Sequence, residues 1–275
     1  MSSGGRLMID EDAARTFCRN FLLPFPENPR LLQLVARKKY AKDDKDAEWQ
    51  GPGLILLERT ILYFDNGQAS EDAFVQALQK IQVLADAGWY TNPRQRQQIV
   101  PAPWMVVYIT AYPLDEDDAA DSLVTKVLEM RQTQRRAVAN GKTAEPALTR
   151  LVSKVETLLH THPSRSHRWL KLDVDTKDIT LLEQLYTALG PDAVLVRVVE
   201  TRGGYHVILE KGPCCRALYA TAKRVNSGVP QPEQWLTIEN NDGPLLAIPG
   251  TSQGGFTVQD VTAEWQQRLS QKEEL

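Results

Sequence analysis

The chain has 275 residues, of which 42% are hydrophobic, enough for one large domain or for a core with a smaller appendage. Its net charge of −3 lacks the strong positive balance typical of nucleic-acid-binding proteins, although a local basic patch can lie on an acidic protein. The sequence shows neither a secretion signal nor an apolar run of the roughly 18 residues that a membrane helix needs. Three cysteines give no disulfide framework, so we expect an intracellular protein, cytoplasmic or nuclear, with no membrane partner.

The N-terminal portion, residues 1–102, is predicted to be mainly helical and to pack on the remainder. Its helices are expected over residues 11–23, 29–36 and 70–87. Residues 54–65 are apolar but show no clear period. The basic stretch Arg37-Lys38-Lys39-Tyr40 is typical of a solvated surface loop, and equally of a contact with a nucleic-acid backbone.

Residues 103–275 are predicted to form an α/β core of the α+β class. A strand over 105–110 is followed by helices over 115–136 and 147–160. From Trp169 the predicted elements are strand 169–174, helix 179–189, strands 193–199 and 205–209, helix 214–224, strands 235–238 and 245–248, and helix 259–271. This βαββαβ order is the split, ferredoxin-like plan, in which the first and third strands are central neighbours.

Two carboxylates end the first strand of this unit, in Leu172-Asp173-Val174-Asp175. Side chains alternate along a strand, so Asp173 and Asp175 are predicted to point the same way and to repel each other. Mg²⁺ or Mn²⁺ would remove that conflict, because both ions prefer carboxylate oxygens and water. In the alternative interpretation the segment is only a turn, with Asp175-Thr176 capping the following helix.

A second polar segment precedes the third strand, and the predicted topology brings it close to the acidic pair. It contains a cation at Arg202, the flexible pair Gly203-Gly204 and an imidazole at His206. A third carboxylate is expected near the fourth strand, at Glu239 or Asp242. The alternatives are a plain hairpin turn, a structural histidine and ordinary turn residues.

In combination and order, these motifs resemble the archaeo-eukaryotic primase (primase-polymerase) superfamily. That superfamily has an apolar-flanked Asp-x-Asp or Asp-x-Glu, a small-x-His strand and a later acid, here matched by Asp173-Val174-Asp175, Gly204-Tyr205-His206 and Asp242 or Glu239. Many members also carry Arg-x-Pro-Gly-Thr, which Pro249-Gly250-Thr251 matches except that Ala247 replaces the arginine. The resemblance covers roughly residues 103–258.

The resemblance implies a primase-like catalytic core on an RRM-like sheet and a metal-dependent nucleotidyltransferase of DNA replication or repair. Such an enzyme adds nucleotides to a 3′ end, or makes short primers, from nucleoside triphosphates on DNA or RNA. The implied catalytic residues are Asp173, Asp175 and Asp242, with two Mg²⁺ or Mn²⁺ ions held by these acids and Glu239, and nucleotide contacts from His206, Arg202, Lys171 and Thr251. The alternative is an inactive primase-like module that binds nucleic acid or a partner protein, favoured by Ala247 and the acidic balance.

Overall fold

The protein is an α+β structure with two antiparallel sheets and a short two-stranded ribbon. The computed structural model describes residues 7–24, 29–41, 53–64, 67–86, 100–141, 158, 169–230, 233–239 and 244–271. The helix predicted over residues 147–160 lies, except for Leu158, outside the described residues. Within the described part of the chain, no helix is long and apolar enough to cross a membrane.

The regular elements are numbered in chain order. The helices are α1 (Glu11–Phe17), which continues as a π-helical turn over Cys18–Leu22, α2 (Lys38–Ala41), α3 (Gly67–Asp86), α4 (Glu116–Ala139), α5 (Ile179–Leu189), α6 (Cys214–Val225) and α7 (Thr262–Gln271). The strands are β1 (Arg30–Arg37), β2 (Leu54–Leu62), β3 (Met105–Thr110), β4 (Trp169–Val174), β5 (Leu195–Glu200), β6 (Tyr205–Glu210), β7 (Leu236–Glu239), β8 (Leu245–Ala247), β9 (Ser252–Gln253), β10 (Phe256–Thr257) and β11 (Gln259–Asp260).

The four-stranded sheet has the order β2-β1-β3-β8. The helix predicted over residues 29–36 is wrong, because this segment is the central strand β1, paired with β2 on one side and β3 on the other. Its apolar side chains are buried on both faces, and such a strand has no alternation to separate it from a buried helix. The portion predicted to be mainly helical therefore also contributes two strands, and the sheet spans the predicted boundary at residue 102.

The five-stranded sheet has the order β11-β5-β6-β4-β7. Its chain order, β4-α5-β5-β6-α6-β7, is the predicted βαββαβ order, and the prediction that the first and third strands are neighbours is confirmed by the pairing of β4 with β6. One face is apolar and covered by helices: Leu170, Leu172 and Val174 of β4 share a buried cluster with Leu182 and Leu185 of α5.

The opposite face of the five-stranded sheet is turned toward the four-stranded sheet. Trp169 and Ile208 belong to the buried cluster that includes residues of β1 and β3. Because side chains alternate, Lys171, Asp173 and His206 lie on this same face. Polar and ionisable side chains are thus placed between the sheets, next to an apolar core.

An aromatic contact joins the N-terminal helix to the five-stranded sheet. The Phe21 ring stacks on Trp169, with ring centroids 5.4 Å apart, and the buried guanidinium of Arg30 lies 5.6 Å and 5.8 Å from the two centroids. Arg30 donates to the carbonyl oxygens of Thr110 and Ala111 at 3.1 Å and 2.5 Å, which partly offsets the burial of its charge. The contact fixes the position of one sheet relative to the other.

Candidate functional site

An aspartate and a histidine form the centre of the site. Asp173 of β4 lies directly opposite His206 of β6, and the Asp173 Oδ1 atom is 3.4 Å from His206 Nε2. The backbone N–H of Ala247 donates to His206 Nδ1 at 3.1 Å, so the proton of the neutral imidazole is on Nε2 and faces Asp173. The Tyr108 ring stacks on the imidazole, with centroids 6.2 Å apart.

Burial and neighbouring cations determine the protonation states of this pair. Burial, together with the positive charge of Lys171, lowers the pKa of His206 to about 3, so the imidazole is neutral at physiological pH. Burial alone would raise the pKa of Asp173, but the positive charges of Lys171 and other neighbouring side chains outweigh it and hold that pKa below its usual value. Asp173 is therefore ionised, and His206 is a neutral hydrogen-bond donor.

Asp175 lies immediately after β4, and its carboxylate interacts electrostatically with that of Asp173. Burial and the negative charge of Asp173 raise the pKa of Asp175 above its usual value. Its Oδ1 atom is 3.9 Å from Lys39 Nζ, and its backbone N–H donates to the Trp235 carbonyl at 2.8 Å. The turn that carries Gly204 packs directly against the backbone at this point.

Two cations approach the acidic pair from the end of β1 and from the helix that follows it. Arg37, the last residue of β1, donates to the Tyr108 hydroxyl at 2.8 Å, and Lys39 follows in α2. The Gln253 amide donates to the same hydroxyl at 3.3 Å, while its carbonyl oxygen accepts the backbone N–H of Arg202 at 2.8 Å. The basic stretch Arg37-Lys38-Lys39-Tyr40 is visible in the sequence, but only the fold shows that it lies beside Asp173 and Asp175. Tyr108 and Gln253 carry no sequence signal that would have identified them.

Lys171 and Glu239 form an ion pair. The Lys171 Nζ atom is 2.6 Å from Glu239 Oε2, and the lysine side chain is only 2% exposed. Burial opposes its charge, but the negative charges of Asp173 and Glu239 outweigh that effect and raise the pKa of Lys171. Lys171, predicted to contact a nucleotide, is therefore an internal cation, and Glu239, predicted as a metal ligand, is its counter-ion.

Three predicted site residues remain: Arg202 and Thr251, which the structure describes, and Asp242, which it does not. The Arg202 guanidinium lies 5.5 Å from the centre of the Tyr40 ring, and its positive charge interacts with that of Lys39. Thr251 is fully buried and its hydroxyl donates to the Ile248 carbonyl at 2.7 Å, so its only described hydroxyl contact is internal to a turn. Asp242 lies outside the described residues.

A divalent ion fits the acidic pair as a partial ligand set. Asp173 and Asp175 supply carboxylate oxygens, the ligands that Mg²⁺ and Mn²⁺ prefer, and their side chains remain 30% and 54% exposed to solvent that would complete the coordination. Among the residues that the structure describes, no three His, Cys, Asp or Glu side chains are grouped as a metal site. The chemistry of Asp173 and Asp175 thus fits part of the ligand set of a divalent ion, whose remaining positions would be taken by water or substrate.

The burial of His206 predicts a pH dependence of stability. Its pKa of about 3 in the folded protein lies below the usual 6.5, so the unfolded chain binds more protons between these values. The free energy of unfolding should fall on acidification across this window, by at most about 1.4 kcal/mol per pH unit from this group. In urea titrations at pH values from 7 to 4, the free energy of unfolding of His206→Gln should fall less steeply with decreasing pH than that of wild type. Equal slopes for the two proteins would contradict the buried neutral imidazole.

No protein-family model, curated protein or solved structure matches this chain. The chemistry of the side chains themselves is therefore the basis for assigning a function. Among the residues that the structure describes, the site contains four cationic side chains and three carboxylates, an excess of one positive charge: Arg37, Lys39, Lys171 and Arg202 against Asp173, Asp175 and Glu239. This excess favours a polyanionic ligand, and the exposed side chains of Lys39 and Asp175 leave the site open to one.

Proposed function

We propose that the protein is a metal-dependent nucleotidyltransferase of the primase-polymerase type, adding nucleotides to a nucleic-acid 3′ end or making short primers. The observation that carries the proposal is the pairing of Asp173 with His206 across neighbouring strands, with Asp175 beside them. These three residues belong to two of the motifs that carry the resemblance of the sequence to the superfamily. Their convergence, together with cations supplied by the opposite sheet, supports a site for a nucleoside triphosphate.

Each side chain has a chemical role in this proposal. Asp173 and Asp175 would hold Mg²⁺ or Mn²⁺, which when bound neutralises charge on phosphate oxygens. Lys39 and Arg202 bind the phosphate groups, and the guanidinium favours two parallel hydrogen bonds to phosphate oxygens. The neutral imidazole of His206 can donate a hydrogen bond only from Nε2, because its Nδ1 atom already accepts the backbone N–H of Ala247. Tyr108 orients Arg37 and packs on the imidazole, which limits the movement of both.

The reaction follows from this arrangement of charges. The oxygen of a 3′-hydroxyl forms a bond to the α-phosphorus, and the proton of that hydroxyl passes to solvent water. The bond from the phosphorus to the bridging oxygen breaks, and pyrophosphate leaves with the electron pair. Negative charge develops on the phosphate oxygens, where fixed cations are most effective. Because Arg37 and Lys171 are held by Tyr108 and Glu239, they need little rearrangement when the substrate binds.

A second candidate is an inactive primase-like module that binds nucleotide or nucleic acid. It is favoured by the Lys171–Glu239 ion pair, which engages one of the expected acids, and by the lack of a three-acid group within the described residues. In this case the excess of positive charge would still bind phosphate, but without transfer.

A primer-extension assay tests the two candidates against each other. The purified chain is incubated with ribo- or deoxyribonucleoside triphosphates and a labelled DNA or RNA primer, with and without template. We expect extended or newly made strands with Mn²⁺ or Mg²⁺ and none with EDTA, because the acidic pair needs a divalent ion. Nucleotide binding by calorimetry without incorporation under any of these conditions would contradict the enzyme and support the binding module.

A further inference from the structure

We infer that Gln253 is a positioning residue of the site, which holds Arg202 in place and links it to Arg37 by hydrogen bonds. The two guanidinium groups, carried by different sheets, then bind the phosphate groups of one nucleotide together. The inference rests on the proposed function and deepens it, since it concerns how that site recognises a triphosphate. Gln253 acts through the two arginines rather than by touching the substrate.

The Gln253 side chain makes one hydrogen bond to each sheet. Its carbonyl oxygen accepts the backbone N–H of Arg202, in the turn between β5 and β6, at 2.8 Å. Its amide nitrogen donates to the hydroxyl of Tyr108, in β3, at 3.3 Å. Arg37 donates to the same hydroxyl at 2.8 Å. Hydrogen bonds thus connect Arg202 to Arg37 through one amide and one phenol.

Burial and hydrogen-bond chemistry fix this connection. Gln253 and Tyr108 are each only 2% exposed, so water cannot readily replace either partner, and an unsatisfied buried polar group is costly. The Arg202 N–H can only donate, so the Gln253 amide must turn its oxygen toward Arg202 and its nitrogen toward Tyr108. The Tyr108 ring is stacked on His206, which limits rotation of the phenol. The amide therefore has one favourable orientation.

The residue after Gln253 packs against the Arg202 side chain. Gly254 has a φ of 57°, and a Cβ atom there would lie 2.5 Å from Arg202 Nη1 and 2.9 Å from Tyr40 Cδ1. The Arg202 guanidinium also lies 5.5 Å from the centre of the Tyr40 ring. The glycine backbone and the aromatic ring together restrict the guanidinium, while Gln253 restricts the backbone that carries it.

The two guanidinium groups lie close enough to act on one ligand. The positive charges of Arg37 and Arg202 both interact with Lys39 and with Tyr40. Two guanidinium groups in fixed positions suit a ligand with several linked phosphates, because each can form two parallel hydrogen bonds to phosphate oxygens. Groups that are held in place before the ligand arrives also lose little freedom on binding.

The test is the binding of inorganic tripolyphosphate to the full chain, measured by calorimetry in the presence of Mg²⁺. Wild type should bind it, and Arg202→Met and Gln253→Met should each weaken binding by about tenfold or more. Because Gln253 acts mainly through Arg202, the double variant should bind within about threefold of Arg202→Met alone. In the extension assay, Gln253→Met should raise the nucleotide KM by about tenfold and change kcat less.

Gln82→Met is the matched control for Gln253→Met. Gln82 lies in α3, and its amide donates to the Leu7 carbonyl oxygen at 3.1 Å, so the substitution also removes a glutamine hydrogen bond. Its tripolyphosphate affinity should stay within about twofold of wild type, because the bond that it loses does not belong to the connection between the arginines.

Gly254→Ala tests the position of Arg202 without removing a hydrogen bond of Gln253. Gly255→Ala is its control, since both glycines have a positive φ, 57° and 82°, but a Cβ atom at Gly255 would meet nothing within 4 Å. Both alanines strain the turn, whereas only the one at position 254 displaces the guanidinium. Gly254→Ala should weaken tripolyphosphate binding by about tenfold, and Gly255→Ala by less than about twofold.

Tyr108→Phe keeps the inference testable if Gln253→Met does not fold, as judged by circular dichroism. It retains the ring that stacks on His206 and removes the hydroxyl that Gln253 and Arg37 share. It should weaken tripolyphosphate binding by about tenfold as well.

The outcomes separate this inference from the proposed function. Wild-type affinity in a folded Gln253→Met or Tyr108→Phe protein, losses that multiply in the double variant, or no binding by wild type would overturn the inference. The expected pattern of binding without any nucleotide incorporation would support the inference and contradict the nucleotidyltransferase. Incorporation by a wild-type protein that does not bind tripolyphosphate would do the reverse.

Discussion

Asp173→Asn is expected to lower nucleotide incorporation by several orders of magnitude, with little change in the fold. The substitution keeps the shape of the side chain and the acceptor that faces His206 Nε2 at 3.4 Å. It removes the ionised carboxylate that would hold the divalent ion. It also leaves the positive charges of Lys171 and Lys39 without the negative charge of Asp173 beside them. Charge stabilisation in the transition state is often the largest catalytic contribution, so activity should fall far more than stability.

Asp192→Asn is the matched control, because Asp192 is exposed in a turn before β5. Both variants are compared with wild type in the extension assay, with incorporation rates measured at saturating nucleotide, and in thermal unfolding. Asp192→Asn should retain wild-type rates. Equal residual incorporation by Asp173→Asn and wild type would indicate a contaminating polymerase and would remove the support for an enzyme.

Gly204→Ala is expected to destabilise the protein by about 1–3 kcal/mol or more and to displace Asp175. A Cβ atom at Gly204 would lie 1.8 Å from the Val174 carbonyl oxygen and 2.7 Å from the Thr176 backbone nitrogen. Both atoms belong to the backbone at the end of β4, so they cannot move aside as a flexible side chain could. The strand end, the turn or both must shift, and the acidic pair shifts with them.

Gly203→Ala tests whether the effect depends on position. Its Cβ atom would lie 3.6 Å from Asp175 Oδ1 and 3.9 Å from Lys39 Nζ, which are ordinary contact distances. Its change in the free energy of unfolding should stay within about 1 kcal/mol. The measurements are denaturant midpoints and Mn²⁺ affinity for both variants. If the two alanine variants unfold at the same denaturant concentration, the close approach at Gly204 does not limit the turn.

Local patterns predicted the half of the site that lies on neighbouring strands. The βαββαβ order put His206 on the strand adjacent to Asp173. The helix over residues 179–189 was predicted with the bounds that the structure shows. These predictions are confirmed because each depends on a short-range period or on a connection rule rather than on distant packing.

The other half depends on long-range packing. The helix predicted over residues 29–36 falls on a short apolar run, in which periodicity does not separate a helix from a buried strand. In the structure these residues lie in a strand buried on both faces, so Arg37 at its end reaches the acids instead of solvent. Tertiary burial overrode the local pattern, as it often does for short apolar runs.

The sequence by itself determined the alternation of strands and helices after Trp169 and the placement of His206 beside Asp173. Only the tertiary structure decided which charges surround these residues: Arg37 ends a strand of a second sheet, Lys39 lies in the short helix that follows that strand, and Lys171 is paired with Glu239 by strand register. The physical reason is that periodicity records which side of an element faces the core, whereas the partner of a charge depends on which elements pack together.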